Sequence, residues 1–114
     1  MYVDKDTFDA ARKFGWAIAE TLLKKKTKST SVVDIFSSVS SVNDFIEALN
    51  KAAQVIEVNG MVPAGLQHLE NKIPTLTNEQ AVAISRIIAM EGYRVLATKK
   101  YINPNEQDDG GDDQ

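Results

Sequence analysis

The sequence predicts an all-α fold: a compact bundle of three long and about two short helices, closed by a disordered acidic tail. Three observations carry this. Apolar residues recur every three or four positions along three long segments. No run shows sustained period-two alternation, so strands are not expected. The segments are separated by helix stop and start signals, namely Asn59-Gly60, Pro63, Ile73-Pro74 and Thr77. With 114 residues the chain is long enough for one domain and too short for two. That domain is expected over residues 1–102, with residues 103–114 as the tail.

The first helix is expected over residues 8–23. Phe8, Ala11, Gly15, Ile18, Ala19 and Leu22 share one face, flanked by Phe14 and Trp16. Asp6 precedes it as the cap and Asp9 adds a favourable first-turn charge. It runs out in a polar stretch containing Lys24, Lys25, Lys26 and Lys28. A short second helix is expected over residues 32–39, where Ser31 and Asp34 have capping-box spacing. Ser41 starts the third helix, whose stripe is Val42, Phe45, Ile46, Leu49, Ala52, Ala53 and Ile56; Asn59-Gly60 ends it. Residues 54–58 include three β-branched positions, but the helical stripe runs through them. Pro63 suits the first position of a short helix reaching about Leu69, and Ile73-Pro74 stops that helix. Thr77 and Gln80 form a second capping box at the head of the last helix, residues 78–100. Its stripe is Ala81, Ile84, Ile88, Gly92, Val95 and Leu96.

The composition narrows the function classes. There is no cysteine, so disulfides, thiolate chemistry and sulfur-ligated zinc are excluded. No apolar run approaches the roughly 18–20 residues of a membrane span, and the charged N-terminus is unlike a signal peptide, so a cytoplasmic protein is expected. The net charge of −3 hides a partition. Five acids (Glu106, Asp108, Asp109, Asp112, Asp113) lie in the tail, leaving 13 bases and 11 acids over residues 1–102.

Candidate chemistry is sparse. His68 is the single histidine and lacks a second His or Cys to complete a metal site, so a structural or surface role is expected. Asp6 with Asp9, and Asp44 with Glu47, sit where helix starts favour acids. The tail aspartates lack the spacing of a calcium loop. No serine lies in a nucleophile elbow and no glycines form a phosphate loop. No catalytic residue, cofactor or metal is therefore expected. Gly15 and Gly92 differ from the other glycines, because each lies on the apolar stripe of a long helix at a cost of about 0.5–1 kcal/mol relative to alanine. They are expected to mark a close helix crossing, the alternative being a ligand site. The remaining candidates are the bases Lys24, Lys25, Lys26 and Lys28, and Arg94, Lys99 and Lys100, both groups at helix ends, with Arg86 two turns before Arg94. There they complement the helix dipole. If the first and last long helices run parallel, the two groups also meet in one positive patch. Such a patch would contact nucleic-acid phosphate without reading sequence, with Tyr93 and Tyr101 as nearby stacking surfaces.

The order of parts resembles a known family. A serine-started helix over residues 41–53 (SVNDFIEALNKAA) precedes a proline-marked break, and a late helix over residues 79–97 (EQAVAISRIIAMEGYRVLA) closes the domain. This arrangement is similar to the small helical subunits of archaeal type I-A CRISPR Cascade complexes. The resemblance implies a non-enzymatic assembly subunit that packs beside other subunits and its own copies, and supports DNA or RNA through basic residues. The alternative is a protein-only interaction module, either a homodimeric helical adaptor associating through the Gly15 and Gly92 faces or a virus- or plasmid-encoded inhibitor. In an inhibitor, the acidic tail would mimic nucleic acid.

Overall fold

The computed structural model describes residues 3–102, with side chains from Val3 to Lys99. The tail, whose disorder the sequence predicts, lies outside the described residues, as do the side chains of Lys100 and Tyr101. The fold is all-α: α1 (Lys5–Lys25), α2 (Ser31–Ser37), α3 (Val42–Val58), α4 (Leu66–Lys72), a short 3-10 turn (Ile73–Thr75) and α5 (Asn78–Ile102), with no strand among the described residues.

Helix α1 begins three residues before the expected start. Its cap is Asp4 rather than Asp6, because the Asp4 carboxylate accepts from the Thr7 amide at 3.2 Å and the Thr7 hydroxyl at 2.7 Å. The helix closes in a Schellman motif, in which the Thr27 and Lys26 amides donate to the carbonyls of Leu22 and Leu23. The left-handed position of this motif, usually glycine, is Lys26 at φ 57°. Helix α3 ends the same way on Gly60 at φ 75°.

The Ser41 hydroxyl accepts from the Asp44 amide at 3.1 Å, as expected for a cap. At Thr77 the capping box is complete in both directions: the Gln80 amide donates to the Thr77 hydroxyl, and the Thr77 amide donates to the Gln80 side chain. The Ser31–Asp34 box does not form. Asp34 instead accepts from the Thr30 hydroxyl and from the Tyr93 hydroxyl of α5, which ties α2 to its neighbour.

Helix α4 starts at Leu66, three residues after Pro63. The chain must first turn through Gly65 at φ 82°, where an added side-chain carbon would lie 2.3 Å from the Ala10 carbonyl oxygen. Ile73 keeps helical dihedrals despite preceding Pro74, so the break comes at Leu76, where ψ reaches 141°.

The core joins Phe14, Ile18 and Leu22 of α1 with Val33 and Phe36 of α2, Phe45, Leu49 and Ile56 of α3, Leu69 of α4, and Ile84 and Ile88 of α5. Phe14 and Phe36 meet edge to face with ring centroids 6.1 Å apart. Phe8, placed on the stripe from its spacing, is on the outer surface instead. The rest of that stripe, Ala11, Gly15, Ile18, Ala19 and Leu22, is buried as expected.

Candidate nucleic-acid interface

Helices α1 and α5 run parallel. Three pairs set their register: Arg12 Nε lies 3.5 Å from Glu91, a side-chain carbon on Gly15 would meet Ile88 and Gly92, and Lys99 Nζ lies 3.7 Å from Glu20. Residue numbers rise together along both helices. Helix α3 takes the same sense. Its first amide, on Val42, donates to the Asn78 side chain at the start of α5, while Lys24 near the end of α1 donates to the Asn59 carbonyl that ends α3.

Three helix C-termini therefore gather at one end of the bundle, each carrying about half a negative charge from its aligned peptides. That end holds Lys24, Lys25, Lys26 and Lys28 of the first basic group, and Lys99 of the second. Lys24 is held on the Asn59 carbonyl at 2.8 Å, and Lys99 leans on Glu20. Lys25, Lys26 and Lys28 are exposed. The backbone of Lys100 continues α5 at the same end.

The other basic candidates stand apart. Arg86 is exposed on α5, thirteen residues before Lys99, or about 20 Å along the axis. Arg94 is not at a helix end, because α5 continues through buried Val95 to Ile102. Its guanidinium grips Glu91 with two bonds of 3.0 and 2.7 Å, and Arg12 approaches the same carboxylate. Tyr93 is tied to Asp34 through its hydroxyl and so belongs to the α2–α5 seam.

Glu91 carries no mark of its own in the sequence beyond sitting beside Gly92 on the apolar stripe. In the fold it is almost fully buried. The hydrogen bonds from Arg94, with Arg12 beside it, hold its carboxyl below the usual carboxylate range against the opposing effect of burial. A folded-state pKa below the unfolded value contributes stability that is present above the unfolded pKa, near 4.3, and lost as pH falls through the lower folded value. Wild-type melting temperature should therefore fall as pH drops from about 5 to about 3, and Glu91→Gln should flatten that portion of the curve.

Gly15 and Gly92 lie where α1 crosses α5, inside the fold. An added side-chain carbon would come within 2.5 Å of the Ile88 carbonyl oxygen at Gly15, and within 3.2 Å of Val33 at Gly92. Both glycines are buried within the fold, against α5 and α2.

A cleft of about 290 Å³ opens at the opposite end, lined by Val3, Asp4, Thr7, Lys72, Gln80 and Ile84 among others. Its charged groups answer one another, with Lys72 Nζ 3.5 Å from Asp4. His68 is half-buried nearby, its Nε2 3.0 Å from the Thr7 hydroxyl, an inter-helix link that the sequence did not reveal. No cluster of three metal-ligating residues forms among the described residues, and no helix there is long and apolar enough to cross a membrane.

Compared with known proteins, the chain matches no family model, no curated protein and no solved structure.

Proposed function

We propose that this chain is a non-enzymatic subunit of a nucleoprotein complex, touching the nucleic-acid backbone with its lysine-rich end. The observation that carries the reading is the parallel pairing of α1 and α5, which puts Lys24, Lys25, Lys26 and Lys28 at the same end as Lys99. The site is narrower than the eight bases first singled out, since Arg86 and Arg94 lie away from it. The small subunit of an archaeal type I-A CRISPR effector is the assembly role that the helix order resembles.

Dipole compensation alone would also place lysines here. Lys26 argues for more. A side chain in the left-handed region costs about 1 kcal/mol, which glycine would avoid. A lysine kept there favours a use for its charge.

Lys26→Gly separates the two roles. It should stabilise the fold by about 1 kcal/mol while weakening binding of the full chain to single- or double-stranded DNA or RNA. Five lysines on phosphate predict a slope of log K against log salt of about −3.5 to −4.5, and Lys26→Gly should reduce it by about one. Absence of salt-dependent binding in the wild-type chain, alone or with partner subunits, would sink the reading and leave the protein-only module.

A further inference from the structure

The lysine-rich end is also where the chain leaves the bundle. Arg12 faces Glu91 and Glu20 faces Lys99, the same offset along the parallel helices α1 and α5. Ile102, the last residue of α5, therefore stands level with Leu23, less than one turn short of Lys26. Neighbouring helix axes lie about 8–10 Å apart, so residues 103–114 start about 10 Å from the α1 lysines.

That end holds an excess of positive charge. Lys24, Lys25, Lys26, Lys28, Lys99 and Lys100 lie in the last turns of α1 and α5 or just past them. The last two turns of α1, α3 and α5 hold two acids, Glu57 and Glu20, and Lys99 engages the second. Lys25 and Lys26 are exposed, and no ion pair among the described residues engages either. Half-charges at three helix C-termini reduce the excess without cancelling it.

The sequence after Ile102 has the opposite character. Residues 103–114 carry five acids, Glu106, Asp108, Asp109, Asp112 and Asp113, and no base. Glu106 can reach about 14 Å from Ile102 and Asp113 about 38 Å, so all five can meet the lysines with the bundle unchanged. A tether this short sets an effective concentration in the millimolar range, so even millimolar-strength ion pairing populates a docked arrangement.

We propose that the lysine-rich end is the docking surface for the chain's own acidic segment, residues 106–113. The segment lies across Lys25 and Lys26 and is displaced when a polyanion binds. Docking needs only the two sets of charges. Its role as a shield against weaker polyanions rests on the nucleic-acid reading above.

The chain has no cysteine, so Gly111→Cys gives a single site for a nitroxide label, between Asp109 and Asp112. The reference is the same labelled chain with Glu106→Gln, Asp108→Asn, Asp109→Asn, Asp112→Asn and Asp113→Asn. At about 20 mM salt, where charges act over roughly 20 Å, the label should broaden the amide signals of Lys24, Lys25, Lys26 and Lys28 at least about twofold more in the acidic chain. At about 500 mM salt, where they act over roughly 4 Å, the two chains should converge. A segment merely tethered nearby broadens both equally at every salt concentration, and that result overturns the proposal. Lys25→Gln combined with Lys26→Gly should remove the excess broadening, while Arg86→Gln, about 20 Å from Lys99, should leave it unchanged. The reverse pattern overturns docking at this end. Excess broadening carried over to an unlabelled chain mixed with the labelled one would place the segment on another copy and overturn docking within the chain. A single strand of about 20 nucleotides then separates the two readings. Loss of the excess broadening as the strand binds supports the shield, and a bound strand that leaves it intact overturns the shield. A strand that binds neither chain removes the nucleic-acid reading, while the salt-dependent broadening keeps the docking.

Discussion

Gly65→Ala is expected to lower the stability of the domain by about 2–5 kcal/mol. Two costs coincide at this position. The backbone sits at φ 82°, where an alanine is strained by about 1–2 kcal/mol. The new carbon would also lie 2.3 Å from the Ala10 carbonyl oxygen and 3.1 Å from the carbonyl carbon. These are backbone atoms in the middle of α1, so no side-chain rotation relieves the clash. Either α4 lifts from α1 or the helix bends. Lifting α4 would also disturb the His68–Thr7 and Lys72–Asp4 contacts that hold the same two elements. Gly60→Ala is the matched control. It shares the positive φ, but its nearest neighbour is the flexible tip of Lys24 at 3.5 Å. Thermal melts should show a loss of roughly 10 °C or more for Gly65→Ala and a clearly smaller one for Gly60→Ala. Equal losses would mean that conformation alone matters and that the approach to Ala10 costs nothing.

That pair also shows what a sequence makes legible. Gly60 was readable because its role is local: a helix of clear periodicity ends there, and a left-handed residue closes such ends. The caps at Ser41 and at Thr77 with Gln80 were readable for the same reason, since each partner lies three residues away. Gly65 was not. The need for it comes from Ala10, more than fifty residues earlier, and the nearby Pro63 offered a stronger local start signal that the fold does not use. Glu91 behaves likewise. One of its partners, Arg94, is a helical turn away, but the other, Arg12, comes from the opposite end of the chain.

The candidate interface divides along the same line. Clustering of Lys24, Lys25, Lys26 and Lys28 is a property of the sequence. Convergence with Lys99 depends on the direction of α5 relative to α1, which is set by how the chain threads through α2, α3 and α4. The three long helices share one sense, so charge is sorted along the bundle. Asp6, Asp44 and Glu79 sit in first turns at one end, and lysines gather at the other. Each placement obeys the dipole rule within its own helix. Only the packing turns separate local rules into a single positive end.

Gly15→Ala tests that packing directly. Inside a helix the substitution should gain up to about 1 kcal/mol in propensity. Against this, the added carbon would lie 2.5 Å from the Ile88 carbonyl oxygen, 3.1 Å from the Glu91 side chain and 3.3 Å from the Gly92 amide. Two of the three obstacles are α5 backbone, so the helices must move apart, at a cost typical of overpacking, about 1–3 kcal/mol or more. Net destabilisation is expected. Gly92→Ala faces the same crossing from the other side but meets a Val33 methyl at 3.2 Å and the Gly15 carbonyl oxygen at 3.6 Å. A valine can shift slightly, so propensity gain and steric cost should nearly cancel. Denaturant melts should therefore rank Gly15→Ala well below both Gly92→Ala and the wild-type chain. The consequence reaches the lysines, because α1 and α5 carry the two basic groups and leave no room for a side chain at Gly15. Wedging them apart there should stretch the Glu20–Lys99 contact, now 3.7 Å, and separate Lys99 from the α1 lysines. Under conditions where the variant is still folded, the salt slope of polyanion binding should become shallower although no charge has been removed. If the slope is unchanged, the lysines act independently, and the parallel pairing of α1 and α5 is architecture without a binding role.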